Sequence, residues 1–183
     1  RLRLLGTLAL RLAALALVLV AMSACASTED ADEKPWEEGD AAIPAFPQDA
    51  DLLPFEVSAA TRNRFFIDAK SLSASSDGVV RYVLVIKTSG GATNVSFEGI
   101  RCNAREYKLY ATGRYDRTWG PLLAGQWRPI QYKDINRHHT VLSRDFFCPN
   151  GMPIRSADEG RDALRRGKHP EAQRELWEGA AGG

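Results

Sequence analysis

The stretch Ser75-Ser76-Asp77-Gly78-Val79-Val80-Arg81-Tyr82-Val83-Leu84-Val85-Ile86-Lys87-Thr88-Ser89-Gly90-Gly91-Ala92-Thr93-Asn94-Val95-Ser96-Phe97 decides the fold. Asp77-Gly78 is a tight-turn dipeptide, because both central positions of a two-residue hairpin turn must accept positive φ. The nine residues after it are rich in β-branched and aromatic side chains, which favour a strand. Val80, Tyr82, Leu84 and Ile86 make one apolar face. Val79, Arg81, Val83, Val85 and Lys87 place charges only toward the ends of the other. A strand apolar on both faces belongs in the middle of a sheet. Ser89-Gly90-Gly91 then turns the chain, and Thr93, Val95 and Phe97 alternate with Asn94, Ser96 and Glu98 in a strand leading to Ile100 and Cys102.

Working outward, residues 65–69 read as a preceding strand and 107–112 as a following one, with Tyr107, Leu109 and Ala111 alternating against Lys108, Tyr110 and Thr112. Trp119-Gly120-Pro121 to Trp127-Arg128-Pro129-Ile130 reads as a loop returning to an edge strand, where proline is tolerated. Tyr132, Ile135, Leu142 and Phe146 recur at helical spacing, so the stretch to Cys148 is expected as a helix, with a strand over 140–147 as the rival. Ser156-Ala157-Asp158-Glu159 spells a capping box for a second helix, which Gly160, Gly167 and Pro170 should keep short or frayed. Phe65, Phe66, Trp127, Phe146 and Phe147 are expected as core. The fold class is therefore α+β, mainly an antiparallel β-meander sheet with one or two helices toward the C-terminus. At 183 residues one folded domain is expected, over 57–150, with 151–183 a polar, partly helical or disordered tail.

The N-terminus reads as an address. Arg1, Arg3 and Arg11 precede an apolar run over 12–22 and the small residues Ser23, Ala24, Cys25 and Ala26, so 1–24 is expected to be a secretory signal peptide. The run is shorter than the roughly 20 residues that span a bilayer. Met22-Ser23-Ala24-Cys25 resembles a bacterial lipobox, which would put lipid on Cys25; Met22 departs from the Leu, Val or Ile usual there. Ala24-Cys25-Ala26 alternatively fits cleavage after Ala26 and a soluble periplasmic protein. Residues 26–56 hold ten acidic residues and one basic, and 25–56 read as a lipid-anchored, self-repelling flexible tether. Ala26 lacks the Asp of inner-membrane retention, which makes the outer membrane the expected home.

With Cys25 assigned to lipid, Cys102 and Cys148 remain as a pair for a disulfide in an oxidising compartment. A redox or nucleophilic cysteine is less well supported, because there is no C-x-x-C.

The runs Phe66-Ile67-Asp68, Ser71-Leu72-Ser73, Asp77-Gly78-Val79-Val80-Arg81-Tyr82, Ser89-Gly90-Gly91-Ala92 and Phe97-Glu98-Gly99-Ile100-Arg101-Cys102 resemble the cryptic neisserial protein-like domain of proteobacterial envelope lipoproteins. Trp36, Pro44-Ala45-Phe46-Pro47, Ala111-Thr112-Gly113-Arg114 and Phe146-Phe147-Cys148 are similar too, so the resemblance covers about 36–150. It implies an envelope location but no activity, cofactor or catalytic residue.

The common nucleotide, zinc-protease and hydrolase signatures are absent. No catalytic residue, metal or cofactor is expected. His138-His139, flanked by Asp134 and Asp145, is the one cluster suited to a metal or general base; adjacent histidines point apart, so at most one should join a given site. Residues 57–150 hold fourteen basic residues against seven acidic. Arg101, Arg105, Lys108, Arg114 and Arg117 concentrate near Tyr110, Tyr115 and Trp119, a surface suited to an anionic envelope partner or an envelope protein. Read otherwise, it is a solvated sheet face that answers the acidic tether. Nucleic acid is disfavoured by compartment. The preferred function is a noncatalytic binding or accessory module of an exported envelope lipoprotein. The alternative is a periplasmic metal-binding protein or hydrolase using His138 or His139 with Asp145.

Overall fold

A computed structural model describes residues 35–131 and 137–172 and shows one antiparallel sheet of seven strands among them. The expected signal peptide over 1–24, Cys25, and Tyr132, Asp134 and Ile135 lie outside the described residues. The strands are β1 (Leu52–Phe55), β2 (Arg64–Asp68), β3 (Ser73–Ala74), β4 (Val79–Lys87), β5 (Thr93–Arg101), β6 (Glu106–Thr112) and β7 (Arg128–Pro129). Their spatial order is β1-β2-β4-β5-β6-β7, and β3 shares with β2 one edge of β4. The sheet is the expected meander.

β4 is central, as its two apolar faces require, and it is buried continuously from Val79 to Val85. Gly78, at φ 78°, closes the β3–β4 hairpin, and Thr88 N–H donates to Ala92 O at 2.8 Å across the β4–β5 turn. β7 pairs at the sheet edge with Glu106 and Tyr107, where Pro129 breaks no interior ladder.

Toward the C-terminus, α1 (Arg137–Val141) widens into a π-helical turn (Leu142–Phe147), and after a 3-10 turn comes α2 (Ala157–Arg166). The wide turn buries Leu142, Ser143, Phe146 and Phe147 together. Phe147 packs on Tyr82 at 5.2 Å and Phe146 on Phe55 at 5.9 Å between ring centroids. The disulfide Cys102–Cys148, with Cα atoms 5.4 Å apart and both residues buried, ties this layer to the end of β5.

Three expectations need correction. The segment expected as tether is folded in its second half, where Leu52 to Phe55 pair with Asp68 to Phe65 as β1 and send Leu53 and Phe55 to the main core and Leu52 to the opposite face. The segment expected as a C-terminal tail is partly helical, as expected, but among its described residues Ile154, Ala163 and Leu164 join the main core. Ser156 caps this helix as its spelling predicts, with Glu159 N–H donating to Ser156 Oγ at 3.2 Å, and the Glu159 carboxylate reaches back to Arg155 N–H at 2.6 Å. The helix is short and stops at Gly167, in the left-handed region, while Gly160 lets it pack closely, since a Cβ there would sit 2.6 Å from Ile154 Cδ1. Finally, a bulge between Phe97 and Glu98 leaves Tyr110 without its own partner, and Tyr110 and Ala111 both join the cluster on the sheet face away from the helices.

Replacing Cys102 and Cys148 together by Ser opens a loop of 46 residues. The chain-entropy model puts the loss at about 4 kcal/mol of unfolding free energy, measurable by urea denaturation against the oxidised protein.

Candidate functional site

On the face away from the helices, residues 37–48 run as an extended strap that joins no strand. Side chains of β4, β6 and the loop before β7 hold it. Arg81 is 4% exposed and donates from Nη2 to Asp77 Oδ2 at 2.6 Å and to Gly39 O at 3.0 Å, while Gly39 N–H donates to Asp77 Oδ2 at 2.9 Å. The Glu38 carboxylate accepts from Lys108 Nζ at 2.7 Å, Tyr110 Oη at 2.7 Å and Trp127 Nε1 at 3.1 Å, with Arg81 Nη2 behind at 3.9 Å. Burial pushes the Glu38 carboxyl up, but these donors outweigh it and hold it below the ordinary carboxylate range. The Tyr110 hydroxyl is raised, first by burial and then by its bond to Glu38, so it stays a donor. Arg101 and Lys108 lie over the Trp127 ring at 5.6 and 5.9 Å, and Arg81 and Lys108 over Tyr110 at 5.7 and 5.2 Å.

The strap's other end is gripped by the loop after β6. Trp119 Nε1 donates to Pro44 O at 2.9 Å, the Phe46 ring packs on Trp119 at 5.2 Å, and Arg117 Nη2 donates to Pro47 O at 2.9 Å. Two glycines make room for this layer. A Cβ on Gly99 would meet the Tyr110 ring at 2.9 Å, and one on Gly113 would meet Phe46 at the same distance.

The basic residues named from sequence are spread over the end of β5 (Arg101), β6 (Lys108) and the turns that flank β6 (Arg105, Arg114 and Arg117). Lys108, Arg117 and Trp119 hold the chain's own strap, and Arg101 pairs with Glu106 at 2.6 Å. Arg105 and Arg114 are exposed in turns at opposite ends of β6, whose seven residues span about 23 Å at the usual rise. Tyr115 is fully exposed, away from the ring contacts. Trp127, expected in the core, is half-buried as a donor to Glu38, and Phe66 is partly buried on the outer face. Sequence reading missed Glu38 and Arg81 as partners; the signal available was the acidic segment facing a basic one.

The helix side holds a second cluster. Glu98 accepts from Ser96 Oγ at 2.6 Å and Tyr82 Oη at 3.2 Å, and lies 2.8 Å from His139 Nε2. His139 stacks on Tyr107 at 3.8 Å, and His138 on Phe65 at 5.8 Å. Contrary to the expectation that adjacent histidines point apart, their rings are 4.1 Å apart and line one cleft of about 260 Å³ with Glu98, Tyr107, Gln126 and Arg128. Successive helix residues differ by about 100°, which leaves room for both in one interface. Asp145 is elsewhere, bonded to Arg144 at 3.0 and 2.7 Å, so the His138/His139 and Asp145 constellation is not assembled. Among the described residues no three His, Cys, Asp or Glu groups cluster to hold a metal ion.

Burial pushes the Glu98 carboxyl up, but the charge and hydrogen bond of His139 and the Ser96 hydroxyl hold it at about 2. Burial first, and then the neighbouring His139, lower His138 to about 4. Both folded values lie below the unfolded ones, so the unfolded chain binds more protons as pH falls. Stability should therefore drop from pH 6.5 to 4 through His138 and from 4.5 to 2 through Glu98, read as the thermal midpoint against pH. Glu98→Gln should remove the Glu98 part of the lower limb, at a cost of about 1–3 kcal/mol for disturbing the buried hydrogen bonds with Tyr82, Ser96 and His139.

No curated protein and no solved structure matches the chain. The description of the CNP1-like family matches residues 31–165, a span that takes in the strap, the whole sheet and most of α2. With that match over most of its length, the chain belongs to the CNP1-like family.

Proposed function

We propose that this chain is an exported envelope lipoprotein, held by lipid on Cys25 at the outer membrane, whose folded domain is a noncatalytic binding or accessory module for an anionic envelope partner. The observation that carries the reading is the grip of Lys108, Tyr110 and Trp127 on the Glu38 carboxylate, with Arg81 behind it. A face that holds one carboxylate in a half-buried, multi-donor site has the chemistry to hold another. Arg105 and Arg114, exposed in the turns at the two ends of β6, add positive charge to the domain surface. The buried Cys102–Cys148 disulfide supports export, because such bonds persist in oxidising compartments.

The intact mass of the mature protein, before and after reduction and alkylation, tests the anchor. A diacyl or triacyl adduct on Cys25 is expected, with two thiols appearing only on reduction; a lipid-free mass starting after Ala26 would make the protein periplasmic and soluble. The binding role is tested by partner capture in crosslinked envelopes. Arg105→Glu with Arg114→Glu should lower capture roughly tenfold, since exposed charges steer encounter, with the thermal midpoint measured alongside to show that the variant is folded. Unchanged capture would remove the anionic-partner reading.

A further inference from the structure

Residues 38–48 touch the outer face in a pattern more specific than cover requires. A carboxylate sits among three hydrogen-bond donors, and its neighbour Gly39 exchanges bonds with Asp77 and Arg81. Six residues after Glu38 a main-chain carbonyl meets the Trp119 indole, two further on an aromatic ring enters the slot beside Gly113, and the next carbonyl meets Arg117. Between these anchors Asp40, Ala42, Ile43 and Ala45 are exposed. The strap makes no ladder hydrogen bonds, so lifting it breaks side-chain contacts and leaves every strand pair of the sheet intact. Under its end, Pro44 to Gln48 roof a cleft of about 190 Å³ against Asp68, Lys70 and Ser71.

We infer that this face is a docking track for an extended acidic peptide, and that residues 38–47 occupy it as an internal stand-in for that peptide. The inference rests on the reading of the domain as a module for an anionic partner and names the partner's class. The track selects a peptide over a lipid headgroup, because Trp119 and Arg117 take main-chain carbonyls at a fixed distance from the carboxylate socket, and the Gly113 slot takes an aromatic ring. A phosphate headgroup supplies neither. The strap's tether gives it a local concentration in the millimolar range, so a peptide in trans meets a standing competitor. Its apparent affinity falls with the fraction of chains whose strap is lifted.

The probe is a fluorescein-labelled synthetic peptide of residues 37–48, titrated by anisotropy against the full chain and against Glu38→Gln with Phe46→Ala, which weakens the strap and keeps every track residue. The expected result is at least a roughly tenfold tighter complex with the variant than with the wild type. The same peptide with Gln in place of Glu38 should bind the variant about tenfold more weakly, as loss of a charge-assisted contact requires. A folded variant that binds the peptide no better than the wild type would overturn the inference. So would a variant that binds anionic phospholipid vesicles and ignores the peptide, though that outcome leaves the anionic-partner reading in place. If the double variant does not fold, Glu38→Gln alone carries the same comparison. Loss of the Arg105 and Arg114 effect on envelope capture is a separate failure, which strikes the parent reading.

Discussion

A strand buried on both sides demands cover on both sides, and β4 is such a strand from Val79 to Val85. Each Val or Leu so buried contributes about 1.5–3 kcal/mol, provided that water is excluded from both faces. On one face Val80, Tyr82 and Leu84 meet Leu142, Phe146 and Phe147 of the π-helical turn, and the disulfide holds that layer in place. On the other, Val83 and Val85 with Phe97 and Ala111 form a smaller cluster, roofed in part by Ala41 and Trp119. The strap and the helices are thus two answers to one requirement, built from opposite ends of the chain.

The uneven charge of the sequence belongs to this arrangement. The acidic segment meets the basic one at Glu38–Lys108, Asp49–Lys87 and Asp51–Lys70, at 2.7, 3.0 and 2.8 Å. The pairs at Asp49 and Lys70 are well exposed and contribute little. The Glu38 contact is half-buried and shares its carboxylate among several donors, so it sets the position of the strap's first half. Attraction between segments draws the strap onto the sheet, and the aromatic and main-chain contacts fix its register.

Much of the sheet was legible because its signals are local. Asp77-Gly78 and Ser89-Gly90-Gly91 mark turns by backbone chemistry, and the two-sided apolarity of 79–87 marks a central strand. The Ser156–Glu159 capping box is equally local. Contacts between distant segments were not legible. Glu38 lies 72 positions from Tyr110 and 89 from Trp127, and only the opposite charge of the two segments links them in the sequence. The short β1 hid inside an acidic stretch whose composition resembles a linker, since Leu52 to Phe55 is only four residues with a proline among them. Glu98 reads as the polar side of an alternating strand, yet it faces the helices and is 6% exposed, because His139, Tyr82 and Ser96 satisfy it there.

β1 carries a practical meaning for anyone who shortens this chain. Its four residues occupy the hydrogen-bonding edge of β2, whose Phe65, Ile67 and Asp68 are buried. A version starting at residue 57, where composition alone would place the beginning of the globular part, would lack both β1 and the strap. It would present the unpaired amides of β2 beside a bared Val83–Phe97 surface, the combination of open strand edge and apolar patch that drives chains to stack into aggregates. Solubility in such trimmed versions is therefore decided by a segment that reads, on composition, as dispensable.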